Sequence, residues 1–103
     1  MGFLDFIFGG KSKKVEEFLN DGAVILDVRT RSEWNNGHIK NAMHIPLDQL
    51  KHRHPEVSKL NKPIVVVCET GVRSGSATRF LKLKNVNAKN GGGWKSLNEH
   101  ISQ

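Results

Sequence analysis

The chain has a single cysteine, Cys68, and the residue types around it can make a thiol reactive. It follows Pro63-Ile64-Val65-Val66-Val67, a largely β-branched run, and opens the segment Cys68-Glu69-Thr70-Gly71-Val72-Arg73-Ser74. A sulfur where a strand hands over to a helix lies within reach of main-chain N–H groups that curl into an anion-binding nest. The positive end of the following helix acts in the same direction, and together they lower a thiol pKa and produce a thiolate nucleophile. Gly71 allows the positive φ that a tight curl requires, and Arg73 sets a permanent cation at the helix entrance. A lone cysteine is more often a small buried residue; the strand-end position, with Gly and Arg following, reverses that preference and suits a reactive thiolate beside a bound oxyanion. Arg73 has two readings, an oxyanion contact or pairing with an acidic side chain, and its loop position favours the first. Glu69 would oppose both a thiolate and an anionic donor if it turned inward, so it is expected to point outward.

Such a loop needs a covered sheet beneath it. The Pro63–Val67 run is apolar on both faces, as a central, doubly covered strand is. Ala23-Val24-Ile25-Leu26, running into Asp27-Val28, reads as a second buried strand, and Ala42-Met43-His44-Ile45 as a brief third, halted by Pro46. Val86-Asn87-Ala88 reads as a weak last strand, followed by a turn at Gly91-Gly92-Gly93. Between them lie helices. One is predicted around 12–20, capped by Ser12, with Val15, Phe18 and Leu19 on one face and Gly22 beyond its end. Thr30-Arg31-Ser32-Glu33 forms a capping box for a short helix carrying Trp34, closed by Gly37. Leu47 to about Arg53 is predicted helical and to end ahead of Pro55. Ser74 to about Lys84 carries a stripe of Ala77, Phe80 and Leu81, and a C-terminal helix sets Trp94, Leu97 and Ile101 on one face. Strands alternating with helices through short connections imply parallel βαβ units, hence an α/β fold whose central, mostly parallel sheet is flanked by helices on both faces.

Composition narrows the function classes. A chain of 103 residues is read as one domain over 1–103, with 1–10 an N-terminal arm or edge strand and the motif-bearing core at 23–97. Hydrophobic residues at 37% and charged residues at 25% fit a soluble globular chain, not a disordered or membrane-embedded one. No stretch approaches the length of a membrane span, and the apolar Met1–Gly10 segment is too short, and lacks the positive flank, for a signal peptide. A net charge of +6 favours anionic partners. The basic residues are scattered without interleaved aromatics, which argues against nucleic acid. One cysteine excludes an intrachain disulfide, so a reducing, cytoplasmic setting is expected.

The Cys68–Ser74 segment resembles the active-site loop of single-domain rhodaneses, of the form C-x-x-G-x-R-S. Two further motifs agree with it in the same order along 23–97. Leu26-Asp27-Val28-Arg29, Glu33-Trp34, Gly37-His38-Ile39, Ala42 and Ile45-Pro46 are similar to the family's N-terminal signature, and Gly92-Gly93-Trp94 resembles its C-terminal turn. The resemblance implies a rhodanese-like fold and a sulfurtransferase in which Cys68 is the nucleophile that carries a persulfide. Glu69, Thr70, Gly71, Val72, Arg73 and Ser74 would then form the cradle for the sulfur and its donor. It implies supporting roles for Asp27, Arg29, Gly93 and Trp94, a packing role for His38, and no metal or organic cofactor. Its partners would be a small anionic sulfur donor, such as thiosulfate, and a thiol or protein acceptor. A cysteine phosphatase or arsenate reductase loop is one residue longer between Cys and Arg than the four residues found here. A non-catalytic interaction module of the same fold often lacks the cysteine, whereas a dedicated sulfur carrier would retain it.

Overall fold

Ile64–Cys68 (β3) is β-branched up to its last residue, and all five of its residues are buried. A strand covered on both faces has to be internal. The computed structural model, which describes residues 13–102, places it second from one edge of a four-stranded sheet. The other strands are Val24–Asp27 (β1), Met43–His44 (β2) and Ala88–Gly93 (β4), in the order β2-β1-β3-β4, and every neighbouring pair is parallel. The helices are α1 over 13–20, α2 at Arg31–Asn35, α3 at Leu47–Ser58, α4 at Val72–Leu83 and α5 at Trp94–Ser102.

The period-two alternation of β3 divides the interior into two cores. Ile64, Val66 and Cys68 join Leu50 and Val57 of α3 and Ala77 and Leu81 of α4. Val65 and Val67 face the opposite way, against Val15 of α1 and Trp94 and Leu97 of α5. Each buried Val, Leu or Ile contributes about 1.5–3 kcal/mol of transfer free energy, and this fixes the strand register on both faces. The chain leaves β1 toward β2 on one side and returns to β3 on the other, so order reverses between β1 and β3. The carboxyl ends of these two strands flank the crevice where open α/β sheets bind ligands. Asp27 pairs with Val67 there, directly before Cys68.

Several boundaries differ from expectation. α3 continues through Pro55 to Ser58, because Leu50 and Val57, two turns apart on one face, are both buried and anchor the helix on either side of the proline. α4 begins at Val72, two residues before Ser74. The run Gly91-Gly92-Gly93 is not a turn but the end of β4, which bulges so that Val66 pairs with Asn90 and Val67 with Gly92. A Cβ on Gly91 would lie 2.6 Å from Val65 Cγ1, so the run lets β4 press against β3. Ile101 is 39% exposed and does not share the burial of Trp94 and Leu97. The predicted arm at 1–10 and the Ser12 cap lie outside the described residues. Among the described residues no helix is long and apolar enough to cross a membrane.

Candidate active site

Cys68 is the last residue of β3, and its side chain has no exposed surface. The chain then turns through Gly71, at φ 104°, into α4. The first turn of a helix leaves its N–H groups without intrahelical partners, and a polar side chain at the N-cap normally takes one or two of them. Gly71 holds the N-cap position and has no side chain to offer. The sulfur takes that part instead. Ser74 N–H, in the third helical position, donates to Cys68 Sγ at 3.2 Å and Gly71 N–H donates at 3.0 Å, while Ser74 Oγ lies 3.3 Å from the sulfur. Burial is the largest single influence on this thiol and opposes ionisation. The Ser74 hydroxyl and the N–H groups of Ser74, Gly71 and Thr70 together outweigh it, so the pKa lies below the ordinary thiol value. The site can hold a negative charge on a sulfur without a cation in contact with it.

The remaining loop residues point elsewhere. Glu69 and Thr70 are exposed at the mouth, and Val72 is 75% exposed. Arg73 pairs with an acidic side chain: its guanidinium grips Glu33 of α2 with Nη1–Oε1 at 2.8 Å and Nη2–Oε2 at 3.0 Å. The planar carboxylate meets the guanidinium fork on both prongs, the two-pronged geometry that makes such ion pairs strong. The same Glu33 closes the predicted capping box, accepting from Thr30 N–H at 3.0 Å. Arg73 is the main reason that its pKa falls to about 2. One carboxylate thus starts α2 and ties it to the entrance of α4. A shallow open depression walled by Val28, Arg31, Leu47, Asp48 and Arg73 lies beside this pair, and Cys68 is not among its walls. A second cavity, lined by Ser58, Asn61, Lys62 and Asn85, is at the opposite end of the sheet.

Behind the loop, Asp27 and Arg29 form a buried hub, with 0% and 2% of their surfaces exposed. Arg29 Nε donates to both Asp27 oxygens at 3.0 Å and Nη2 to Oδ2 at 2.8 Å. Its remaining donors reach the Glu33 carbonyl at 3.2 Å and the Gly37 carbonyl at 2.6 Å, and its Cζ lies 4.6 Å from the centre of the Trp94 ring. Nη1 also lies 3.5 Å from Glu69 Oε1, so Glu69 leans back along the rim toward a cation, away from the sulfur. Gly93 pairs with Cys68 across the β3–β4 ladder, and a Cβ there would come within 2.9 Å of the Glu69 carbonyl. His38 stacks on Trp34 at 3.5 Å, and its Nδ1 meets the Trp34 carbonyl at 2.8 Å.

One residue of the site is not visible in the sequence. Asn90, at the bulge of β4, accepts from Ser74 Oγ at 2.7 Å and from Gly92 N–H at 2.9 Å through Oδ1. Its Nδ2 donates to the Gly71 carbonyl at 3.0 Å. An asparagine ahead of three glycines carries the signature of a turn, and only the bulge that turns its amide toward α4 reveals another place for it.

Comparison with known proteins agrees with this architecture. The family model described as Rhodanese-like domain matches residues 11–100. The uncharacterized protein YqhL of Bacillus subtilis is 43% identical over 60 residues, covering 58% of this chain and 47% of its own. A tRNA uridine(34) hydroxylase of Salmonella newport is 32% identical over 83 residues, covering 75% of this chain and 24% of its own. The chain thus spans about half or less of the curated relatives it matches first. The structure of a human single-domain sulfurtransferase, TSTD1, superposes with a TM-score of 0.63 at 27% identity, covering 84% of this chain and 91% of that one. With the family model reaching across nearly every described element, from α1 to α5, and with a solved sulfurtransferase sharing the sheet and its helices, the chain belongs to the rhodanese-like domain family.

Proposed function

We propose that this chain is a sulfurtransferase that moves a sulfane sulfur through a persulfide on Cys68. The observation that carries the reading is the pair of N–H donors, from Gly71 and Ser74, aimed at Sγ. They favour the thiolate in the resting site, and further N–H groups of the loop favour the anionic outer sulfur once it is loaded. With thiosulfate as donor, the thiolate attacks the outer sulfur, a new S–S bond forms, and the old S–S bond breaks with its electron pair leaving on sulfite. Cyanide, or the thiolate of a thiol or protein acceptor, then attacks the outer sulfur; the persulfide S–S bond breaks with its electron pair on Cys68, which returns to thiolate as thiocyanate or the acceptor's persulfide leaves. The reading calls on no metal or organic cofactor. Because Cys68 has no exposed surface in this conformation, a donor reaches it only when the loop at 69–71 gives way. The narrow cradle, centred on one sulfur atom, supports sulfur transfer over phosphate chemistry. The lone cysteine supports a reducing setting such as the cytoplasm.

The decisive experiment is intact-protein mass spectrometry after incubation with thiosulfate. Wild type gains one sulfur atom that cyanide removes, and Cys68→Ser gains none. Stable loading with slow thiocyanate release would assign the chain as a dedicated carrier, whereas no loading of the wild type by thiosulfate or by a persulfide donor refutes the reading.

A further inference from the structure

The Ser74 hydroxyl has one proton and two neighbours that can use it. Ser74 Oγ lies 2.7 Å from Asn90 Oδ1 and 3.3 Å from Cys68 Sγ. The orientation of the Asn90 amide is not free. Its Oδ1 faces Gly92 N–H, which can only donate, and its Nδ2 faces the Gly71 carbonyl, which can only accept. At the atom facing Ser74, Asn90 is therefore an acceptor and nothing else.

Proton counting then separates two states of the site. When Cys68 is a thiol, its S–H donates to Ser74 Oγ and the hydroxyl donates onward to Asn90, so every group is satisfied. When Cys68 is a thiolate, an unrotated hydroxyl would turn a lone pair toward the negative sulfur. It must instead swing its proton to Sγ, and Asn90 Oδ1 is left with Gly92 N–H alone. We propose that Asn90 is a positioning residue that competes with the Cys68 sulfur for the single proton of Ser74, holding it in the thiol form and yielding it to the thiolate. On the sulfurtransfer reading, the persulfide moves the charge to the outer sulfur, and the hydroxyl then returns to Asn90. That last step rests on the proposed function; the competition itself rests on geometry alone.

Charged groups close to the sulfur are Glu69 and Arg73 of the loop, with Arg29 and Glu33 behind them. The buried residues of α3 and α4 in the core that Cys68 joins, among them Leu50, Val57, Ala77 and Leu81, carry no titratable group. A double-mutant cycle keeps all of these constant. The ionisation of Cys68 is read from the pH dependence of iodoacetamide alkylation in wild type, Asn90→Ala, Ser74→Ala and the double variant. Freeing the hydroxyl in Asn90→Ala lowers the alkylation midpoint by about half to one pH unit relative to the shift the same change makes in the Ser74→Ala background. Asn90→Asp is nearly isosteric and guards against a misfolded alanine variant. Its carboxylate holds the Ser74 proton more firmly, so it raises the midpoint more when the serine is present than in the Ser74→Ala background. Equal shifts in both backgrounds, for both substitutions, would overturn the proposal and leave Asn90 as a brace for the bulge. Alkylation requires no sulfur donor, so a wild type that fails to load sulfur would remove the sulfurtransfer reading and leave this result standing.

Discussion

Arg29→Met keeps an unbranched apolar stem but removes the guanidinium that lies over Trp94, leaving Asp27 as a carboxylate with no exposed surface and no cation beside it. Breaking one partner of a buried, hydrogen-bonded ion pair costs about 3–5 kcal/mol, because the survivor keeps its desolvation penalty without the compensating field. The Glu33 and Gly37 carbonyls also lose a donor, at up to about 1 kcal/mol each. Water can replace part of that loss, since Glu33 and Gly37 are only half buried. The expected cost of about 4–6 kcal/mol is a large share of the roughly 5–15 kcal/mol that holds a typical domain together. Urea denaturation is the assay, with a slope of about 1–3 kcal/mol per molar, so the midpoint falls by more than about 1 M. The double variant Asp27→Leu/Arg29→Met removes both charges and should recover at least about 2 kcal/mol relative to Arg29→Met alone. A single-variant cost under about 1 kcal/mol, or strictly additive costs in the double, would refute the assignment of Arg29 and Asp27 as a buried, mutually dependent pair.

Two further outcomes test the scaffold. Glu33 has a folded pKa of about 2 against an ordinary 4.5, so its stabilisation is complete above pH 4.5 and is lost as the pH falls toward 2. The pair with Arg73 is about a third exposed, which discounts its worth to about 1 kcal/mol. Glu33→Gln should therefore lower the melting temperature by about 4–8 °C at pH 7, with the gap closing progressively between pH 4.5 and 2; a gap independent of pH would show that the ion pair contributes nothing. Gly91→Ala places a Cβ 2.6 Å from Val65 Cγ1 and 3.2 Å from the Val66 carbonyl, neither of which can withdraw from the centre of the sheet. It should cost about 1–3 kcal/mol in chemical denaturation, and an unchanged midpoint would mean that β4 does not press against β3 as described.

The parts of this molecule that are legible in the sequence are those whose cause is local. The β-branched run of β3 announces a doubly buried strand, and Thr30 with Glu33 announces the start of α2, because each signal lies within a few residues of its effect. The stripe of Ala77, Phe80 and Leu81 points to a start for α4 near Ser74. The structure starts it at Val72, with Gly71 at the N-cap, since a sulfur from the preceding strand accepts the orphan N–H groups that a capping side chain would otherwise take. Pro55 reads as a stop, and the long-range burial of Leu50 and Val57 overrides it. The glycines at 91–93 read as a turn, whereas Gly91 and Gly93 lie in β4 and matter for the Cβ atoms they lack, since what β3 and Glu69 place opposite them sets the close approach.

The candidate site divides in the same way. Cys68 and Gly71 stand together in one loop and can be paired by inspection. The partner of Arg73 is hidden because Glu33 lies 40 residues earlier, and the part played by Asn90 is hidden because Ser74 lies 16 residues before it. Both are joined to the loop by topology: α2 reaches α4 across the end of β1, and β4 reaches it across β3. The chemistry of the sulfur is thus written locally as a strand, a glycine and a helix start. Its surroundings, a carboxylate that pairs with the arginine and an amide that accepts from the serine hydroxyl, are supplied by α2 and β4 and emerge only when the parallel sheet brings these elements to the loop.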